Sequence, residues 1–198
     1  NCFLFLLIAL LFSPVNASAG GFIVYNHDAA ATAMGLAYTA QVHNPSAVLY
    51  NPAAMNQLKG TQYSGGGSLI YANASFRGAS SGEKTHQDSH VFFLPTFFAT
   101  KQLNERWSIG IGSFSPYGLT SNWPQDWEGR YQATFAQLRT FFVNPVISCQ
   151  VTPELSIGGG VSPVYSDVLQ RKNIRITPGR DGQATFHGKD FGWGYNLG

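Results

Sequence analysis

Apolar and polar residues alternate with a period of two along most of the chain after residue 60. The clearest example is WSIGIGSF, residues 107–114, in which tryptophan and isoleucines alternate with serine and glycine. Residues 155–165 and 190–198 repeat the pattern, with bulky apolar residues on one face and small or polar residues on the other. Because side chains alternate between the two faces of a β-strand, this pattern predicts strands with one apolar face.

The pattern predicts about six strands, separated by segments that are alternately short and long. The predicted strands lie near residues 61–78, 90–103, 107–117, 137–151, 155–167 and 185–198. Asn104–Glu105 and Thr152–Glu154 form tight turns, whereas long polar loops are expected near residues 79–89, 118–134 and 168–184. Short turns at one end and long loops at the other are typical of outer-membrane β-barrels.

A soluble β-sandwich would also alternate, and the composition distinguishes the two classes. Only 11% of the 198 residues are charged and 14% are aromatic, against roughly 25% charged residues in an ordinary soluble domain. Soluble strands usually carry Lys, Glu and Thr on their outer face, whereas these carry Gly and Ser. The net charge of +2 gives no reason to expect a nucleic-acid partner. We therefore predict an all-β transmembrane β-barrel.

The first residues predict export through a cleaved signal peptide. Residues 2–12, CFLFLLIALLF, form an apolar run too short to span a membrane as a helix, and an Ala-x-Ala cleavage pattern follows. We therefore assign residues 1–19 to the signal peptide and expect the mature chain to begin at Gly20. No basic residue precedes the apolar run, and six strands are fewer than the roughly eight of the smallest barrels. Truncation at both ends is therefore expected.

Residues 20–58 differ from the rest of the chain. They are rich in alanine and small polar residues, and Asn-Pro occurs twice, at Asn44-Pro45 and Asn51-Pro52. Asn is a favoured helix N-cap, and Pro is favoured at the first helical position. We therefore expect two short, separately capped helical turns in this segment, with the first barrel strands in residues 59–198.

Few residues suggest catalysis or metal binding. His86 and His90 are four residues apart, but a polar loop entering a strand explains this pair better than a metal site. Asp126, Glu128 and Arg130 share a polar stretch that is equally consistent with a surface loop. No catalytic residue, metal site or cofactor is assigned, and we do not expect an enzyme.

The sequence SPYGLT, residues 115–120, ends the strand predicted near residues 107–117. Pro116 cannot donate a hydrogen bond to a β-ladder, and Gly118 gives the backbone freedom. One interpretation is a strand terminus that enters a loop. The other is a break in strand pairing that opens the barrel wall sideways.

Several of these stretches together resemble the FadL-type outer-membrane transporters of long-chain fatty acids and aromatic hydrocarbons. They are Phe22, AMGLAYTAQ, NPSAVLYNPAAM and SPYGLT. The resemblance runs from about residue 20 to residue 198. It implies a fourteen-stranded barrel in which residues 20–58 form a hatch (plug) inside the lumen.

The resemblance also implies roles for individual residues. Asn51, Pro52 and Ala53 would act in ligand transport, and Phe22 would lie near the ligand pocket. The stretch Pro116–Gly118, which includes Tyr117, would form an inward kink through which the ligand leaves laterally into the membrane.

The function implied is passive uptake of a hydrophobic small molecule through a monomer in the outer membrane of a Gram-negative cell, with outer-membrane lipid as its surroundings. Long-chain fatty acids are the expected ligands, and a Lys or Arg would pair with the fatty carboxylate. Aromatic hydrocarbons are the alternative within the family. A polar porin, an adhesin-like barrel and a secreted soluble β-protein are the alternatives outside it.

Overall fold

The computed structural model describes residues 23–198. The predicted signal peptide and Phe22 lie outside the described residues. In the described part, two short helices, α1 (Ala29–Ala33) and α2 (Ala47–Tyr50), and a 3-10 helix, η1 (Pro52–Gln57), precede the strands. The strands are β1 (Thr61–Ala72), β2 (Ser75–Arg77), β3 (Lys84–His86), β4 (His90–Gln102), β5 (Trp107–Phe114), β6 (Gly118–Asn122), β7 (Phe135–Gln150), β8 (Ser156–Thr177) and β9 (Arg180–Leu197). No helix within residues 23–198 is long and apolar enough to cross a membrane.

Seven of the strands form one antiparallel sheet. Its order is β1-β4-β5-β7-β8-β9, and β6 pairs with β7 beyond the end of β5. Strands β2 and β3 form a separate hairpin in the connection between β1 and β4. Tight turns join β4 to β5 and β7 to β8 at one end of the sheet, as the sequence predicted, and longer connections join β1 to β4 and β5 to β7 at the other end.

Each predicted strand overlaps a strand of the sheet, but the predictions for the three long loops are wrong in part or in whole. Residues 79–89 are only partly a loop, because they contain β3, which pairs with β2. Residues 168–184 are not a loop, because β8 and β9 remain paired until the turn at Pro178-Gly179. Residues 118–134 are only partly a loop, because β6 pairs with β7. Polar and charged residues predominate in residues 168–184, among them Arg171, Lys172 and Arg175. This polarity favoured a loop over the short alternation at Ile174 and Ile176.

The two faces of the sheet differ in the size of their side chains. On one face, large apolar side chains are exposed along every long strand, among them Tyr63, Phe93, Ile109, Ile147, Val161 and Trp193. The other face carries mainly Gly, Ser, Thr and Asn, apart from a group of buried apolar residues. An exposed apolar face that continues across a sheet is typical of a lipid-facing barrel wall. We call it the outer face and the opposite one the inner face.

The N-terminal segment, residues 23–58, packs against the inner face. The main core lies between the two, and its central residues are Val48 and Met55 from the segment and Phe98, Phe114 and Val146 from the sheet. All five are at least 95% buried. The small residues of the inner face therefore accommodate this segment.

Candidate functional site

The first Asn-Pro turn is capped as the sequence predicted. The side-chain oxygen of Asn44 accepts from the Ser46 amide at 2.9 Å and from the Ser46 hydroxyl at 2.6 Å. The side-chain Nδ2 of Asn44 donates to the Asp28 carboxylate at 3.0 Å. The same carboxylate caps α1 by accepting from the backbone N–H of Ala31. Asn44 therefore connects the two short helices of the N-terminal segment.

The capping role predicted for Asn51 is wrong. Pro52 is the first residue of η1, but the Asn51 side chain makes no capping hydrogen bond. Its Nδ2 donates instead to the carbonyl of Thr39 at 2.9 Å. The reason is that η1 follows α2 directly. Asn51 is also the C-cap of α2, because its backbone N–H donates to the carbonyl of Ala47. Asn51 therefore connects the second turn with residue 39.

Pro52 leaves the carbonyl oxygen of Val48 without its helical donor. In a continuing α-helix the amide of residue 52 would donate to this oxygen, but proline has no N–H. Asn144 of β7 and Asn196 of β9 donate to it instead, with Nδ2–O distances of 3.2 and 2.8 Å. The barrel wall therefore binds the N-terminal segment where the second Asn-Pro turn interrupts the helix.

Glycines of the inner face allow this turn to lie directly on the wall. A Cβ atom at Gly158 would stand only 2.6 Å from the carbonyl carbon of Pro52 and 2.8 Å from the Ala53 nitrogen. One at Gly110 would stand 2.6 Å from Val48. Glycine within a strand often marks such a close backbone approach. The small face of the alternating pattern is thus the docking surface for residues 48–55.

The pairing of the sheet is broken at residues 116–118. Strand β5 pairs with β4 only at residues 97–102, and β6, which follows the break, pairs with β7 but not with β4. Residues 90–96 of β4 pair with β1 on one side but consequently have no partner strand on the side of β5 and β6. A gap in the wall separates it from β6.

A cavity of about 440 Å³ occupies this gap. Its lining includes Leu94 and Leu138 from the inner face and Phe93 and Arg139 from the outer face. Tyr117 and Gly118 also line it. Residues of both faces therefore line the cavity at the level of the sheet.

The N-terminal segment also contacts the break itself. The Val24 amide donates to the carbonyl of Pro116 at 2.7 Å, and Ile23 forms a β-bridge with Tyr117. The Thr140 hydroxyl binds the carbonyl of Tyr117 at 2.6 Å and so holds the break against β7. Movement of residues 23–24 would therefore change the hydrogen bonding at the edge of the gap.

A column of aromatic rings runs from the gap to the core. The ring of Tyr117 lies 6.2 Å from that of Phe142, which stacks 5.6 Å from Phe114. Phe114 lies 6.1 Å from Phe98 and 5.5 Å from the imidazole of His27. The column therefore connects the N-terminal segment with the edge of the gap through contacts between aromatic rings.

His27 is a residue that the sequence did not indicate, because a single His in an alanine-rich segment gives no recognisable signal. It is only 5% exposed, and neither ring nitrogen has a hydrogen-bond partner within the described residues. Burial lowers the pKa of His27, and the nearby backbone of Val24 offsets this only in part. The imidazole is therefore neutral at neutral pH. It also lines a second cavity of about 520 Å³ beside β1.

The long connections form an aromatic cluster at the end of the sheet. Trp127 stacks on Trp123 at 4.5 Å and meets Phe76 edge-on at 5.3 Å. Glu128 accepts from the Ser81 hydroxyl at 2.7 Å and from the amides of Ser80 and Ser81, and these hydrogen bonds lower its pKa. Glu128 therefore joins two connections across the cluster.

The other polar residues weighed in the sequence analysis lie apart from the path. Arg130 pairs with Asp181 at 3.0 Å, and Asp126 contacts Arg130 through its backbone carbonyl. His86 ends β3 and His90 begins β4. Within residues 23–198, no three His, Cys, Asp or Glu side chains are grouped closely enough to hold a metal ion.

Comparisons with known proteins point to one family. A family model described as outer membrane protein transport protein (OMPP1/FadL/TodX) matches residues 10–198. Outer membrane protein P1 of Haemophilus influenzae is 24% identical over 189 residues, which cover 85% of this chain and 41% of the relative. The crystal structure of a Pseudomonas aeruginosa FadL homologue matches with a TM-score of 0.65 at 20% identity, over 90% of this chain and 49% of that one. The chain thus spans less than half the length of these relatives.

Proposed function

The chain belongs to the OMPP1/FadL/TodX family of outer membrane transport proteins, and on this premise we propose that it takes part in the passive uptake of long-chain fatty acids. Residues 20–58 act as the hatch, and the gap between β4 and β6 is the lateral exit. The observation that supports the proposal is the position of the 440 Å³ cavity in the broken wall, where Tyr117 lines it. The ring of Tyr117 also begins the aromatic column that reaches the core, and the N-terminal segment binds the edge of the gap through Val24 and Pro116.

Uptake begins with capture of the apolar chain at the aromatic cluster of the long connections. Phe76, Trp123 and Trp127 form this cluster, and each methylene removed from water contributes about 0.8 kcal/mol. The ligand then passes along the aromatic column towards the gap. A lateral exit delivers the chain into lipid, so its apolar part is not forced through the aqueous periplasm.

The hatch is held in a way that allows it to move. Its contact with the wall includes buried polar groups without partners in the described residues, among them Asn56, Ser108 and Ser148. Unpaired buried polar groups weaken an interface, because their lost hydration is not compensated. A shift of the Asn51–Ala53 turn away from Gly158 would loosen the hatch.

Aromatic hydrocarbons are the second candidate ligands. The observation that favours them is the column of Tyr117, Phe142 and Phe114, because aromatic rings pair with other rings in stacked or edge-on geometry. An open polar porin is disfavoured, because the N-terminal segment packs on the inner face of the wall.

The test uses the complete gene in a strain that lacks its own fatty-acid transporter. Uptake of labelled oleate and labelled toluene is followed for the wild type and for Asn51→Ala, after outer-membrane levels have been matched. Oleate uptake that depends on the protein, and that Asn51→Ala reduces, supports the proposal. Toluene uptake without oleate uptake reassigns the ligand. Uptake of neither compound by a well-inserted wild type contradicts the proposal.

A further inference from the structure

The apolar outer face ends in a row of charged residues. On β7, β8 and β9, the register places Phe141, Tyr165 and Phe191 side by side in one row. The next row on the same face, two residues closer to the long connections, consists of Arg139, Asp167 and Lys189. A lipid-facing band that ends in aromatic residues and then in charge marks the level of the lipid headgroups.

Arg139 has no ion-pair partner in the described part of the chain. Asp167 lies opposite Arg139 in the register but contacts residues of β9 instead. One of its carboxylate oxygens lies 3.1 Å from His187 Nε2, and the other lies 3.9 Å from Lys189 Nζ. Arg139 itself is exposed. A guanidinium ion at headgroup level is thus available to an external anion.

Arg139 is also placed at the gap in the wall. It lies opposite Gly118, whose lack of a side chain leaves the space beside it open, and it lines the 440 Å³ cavity. It is the one charged residue among those that line this cavity. The rest of the lining is mainly apolar, including Phe93 and Leu94. One cation at the rim of an apolar cavity is complementary to an amphiphile with one anionic headgroup.

We propose that Arg139 is an anion site at the outer rim of the gap, which holds the headgroup of an amphiphile while its apolar chain occupies the cavity. The guanidinium presents a planar pair of donors that suits carboxylate and phosphate oxygens. Two sources carry this chemistry: a fatty acid leaving the barrel, and a resident phosphorylated lipid of the outer leaflet. The first source rests on the proposed function, and the second does not.

The experiment uses the full-length protein with Arg139→Gln, Arg139→Lys and the control Arg171→Gln. Arg171 lies on the same face and stacks on Phe135, but it does not line the cavity. Cellular uptake of palmitate is compared with that of hexadecanol, which has the same chain without the charge. Phosphorylated lipid that co-purifies with each variant is quantified by mass spectrometry.

The site predicts an effect at Arg139 that the control lacks. If the fatty carboxylate is the ligand, Arg139→Gln lowers the palmitate-to-hexadecanol uptake ratio roughly fivefold, and Arg139→Lys retains part of it. If a resident lipid is the ligand, Arg139→Gln loses the co-purified phosphorylated lipid and leaves the ratio unchanged. Loss of the co-purified lipid could be detected even if the protein transported neither compound. It therefore tests the anion site independently of the proposed function. An unchanged ratio together with unchanged lipid content overturns the site.

Discussion

The side chain of Asn144 on β7 donates to the backbone carbonyl of Val48 at 3.2 Å, in the buried contact between the wall and the N-terminal segment. This oxygen is available because Pro52 lacks the amide that would bind it in a continuing helix. Asn196 donates to the same oxygen. The second Asn-Pro turn therefore exposes an acceptor on the N-terminal segment, and the wall supplies the donors.

Replacing both asparagines should loosen the hatch. Loss of a partner for a buried carbonyl costs about 1–3 kcal/mol, so Asn144→Ala with Asn196→Ala should increase opening of residues 29–57 roughly fivefold to one hundredfold. Hydrogen exchange of these residues in the full-length protein measures the opening. Asn173→Ala is the control, because Asn173 binds the carbonyl of Gln125 near the long connections. Equal protection of the hatch in the double variant and the control would show that the Val48 contacts are not needed.

A side chain at Gly158 should displace the second turn. An added Cβ would meet the backbone of Pro52 and Ala53 at less than 3 Å, and overpacking of this kind typically costs about 1–3 kcal/mol. Gly158→Ala should therefore increase protease cleavage within residues 23–58 while the barrel still inserts. Gly192→Ala is a matched strand control, because a Cβ there meets nothing within 4 Å. Comparable cleavage in the two variants would contradict close docking of the turn.

Acidification should weaken the hatch through His27. Burial lowers the pKa of this residue below its ordinary value of 6.5. Below about pH 6.5 the imidazole of an undocked segment binds a proton, whereas the buried imidazole of the docked segment resists protonation. The contribution of His27 to docking is therefore complete above about pH 6.5. It decreases as the pH falls below that value. Tyr50, an ionisable neighbour on the N-terminal segment, stays neutral between about pH 5 and pH 8, because burial raises its pKa.

Protease cleavage of residues 23–58 at about pH 5 and about pH 7.5 checks this dependence. The wild type should be cleaved faster at the lower pH, and His27→Gln should lose most of the difference. His43→Gln is the control, because His43 is exposed. If His27→Gln kept the full pH dependence, another group would be responsible.

The sequence predicted those parts of the fold that face lipid. Each side chain of the alternating pattern meets either lipid or the lumen, so strands such as β5 and β9 are visible without a structure. The β8–β9 hairpin between residues 168 and 184 was missed, because polar and charged residues predominate there although the pairing continues.

The site was predicted less completely, because tertiary contacts decide its details. The first Asn-Pro turn is capped locally and was predicted, whereas the Asn51 side chain binds residue 39. His27 and the two asparagines that bind Val48 become recognisable only when the segment is docked on the wall. The roles of Asn51, Pro52, Ala53 and Phe22 in transport stay predictions.

The most direct test of the lateral path is to fill the gap at Gly118. Nothing lies closer than 3.7 Å to a Cβ added there, so Gly118→Ala should insert and transport oleate like the wild type. Gly118→Trp would place an indole in the 440 Å³ cavity. At matched outer-membrane levels, Gly118→Trp should lose most of the oleate uptake that Gly118→Ala retains. Equal uptake by the two variants would contradict exit through this gap.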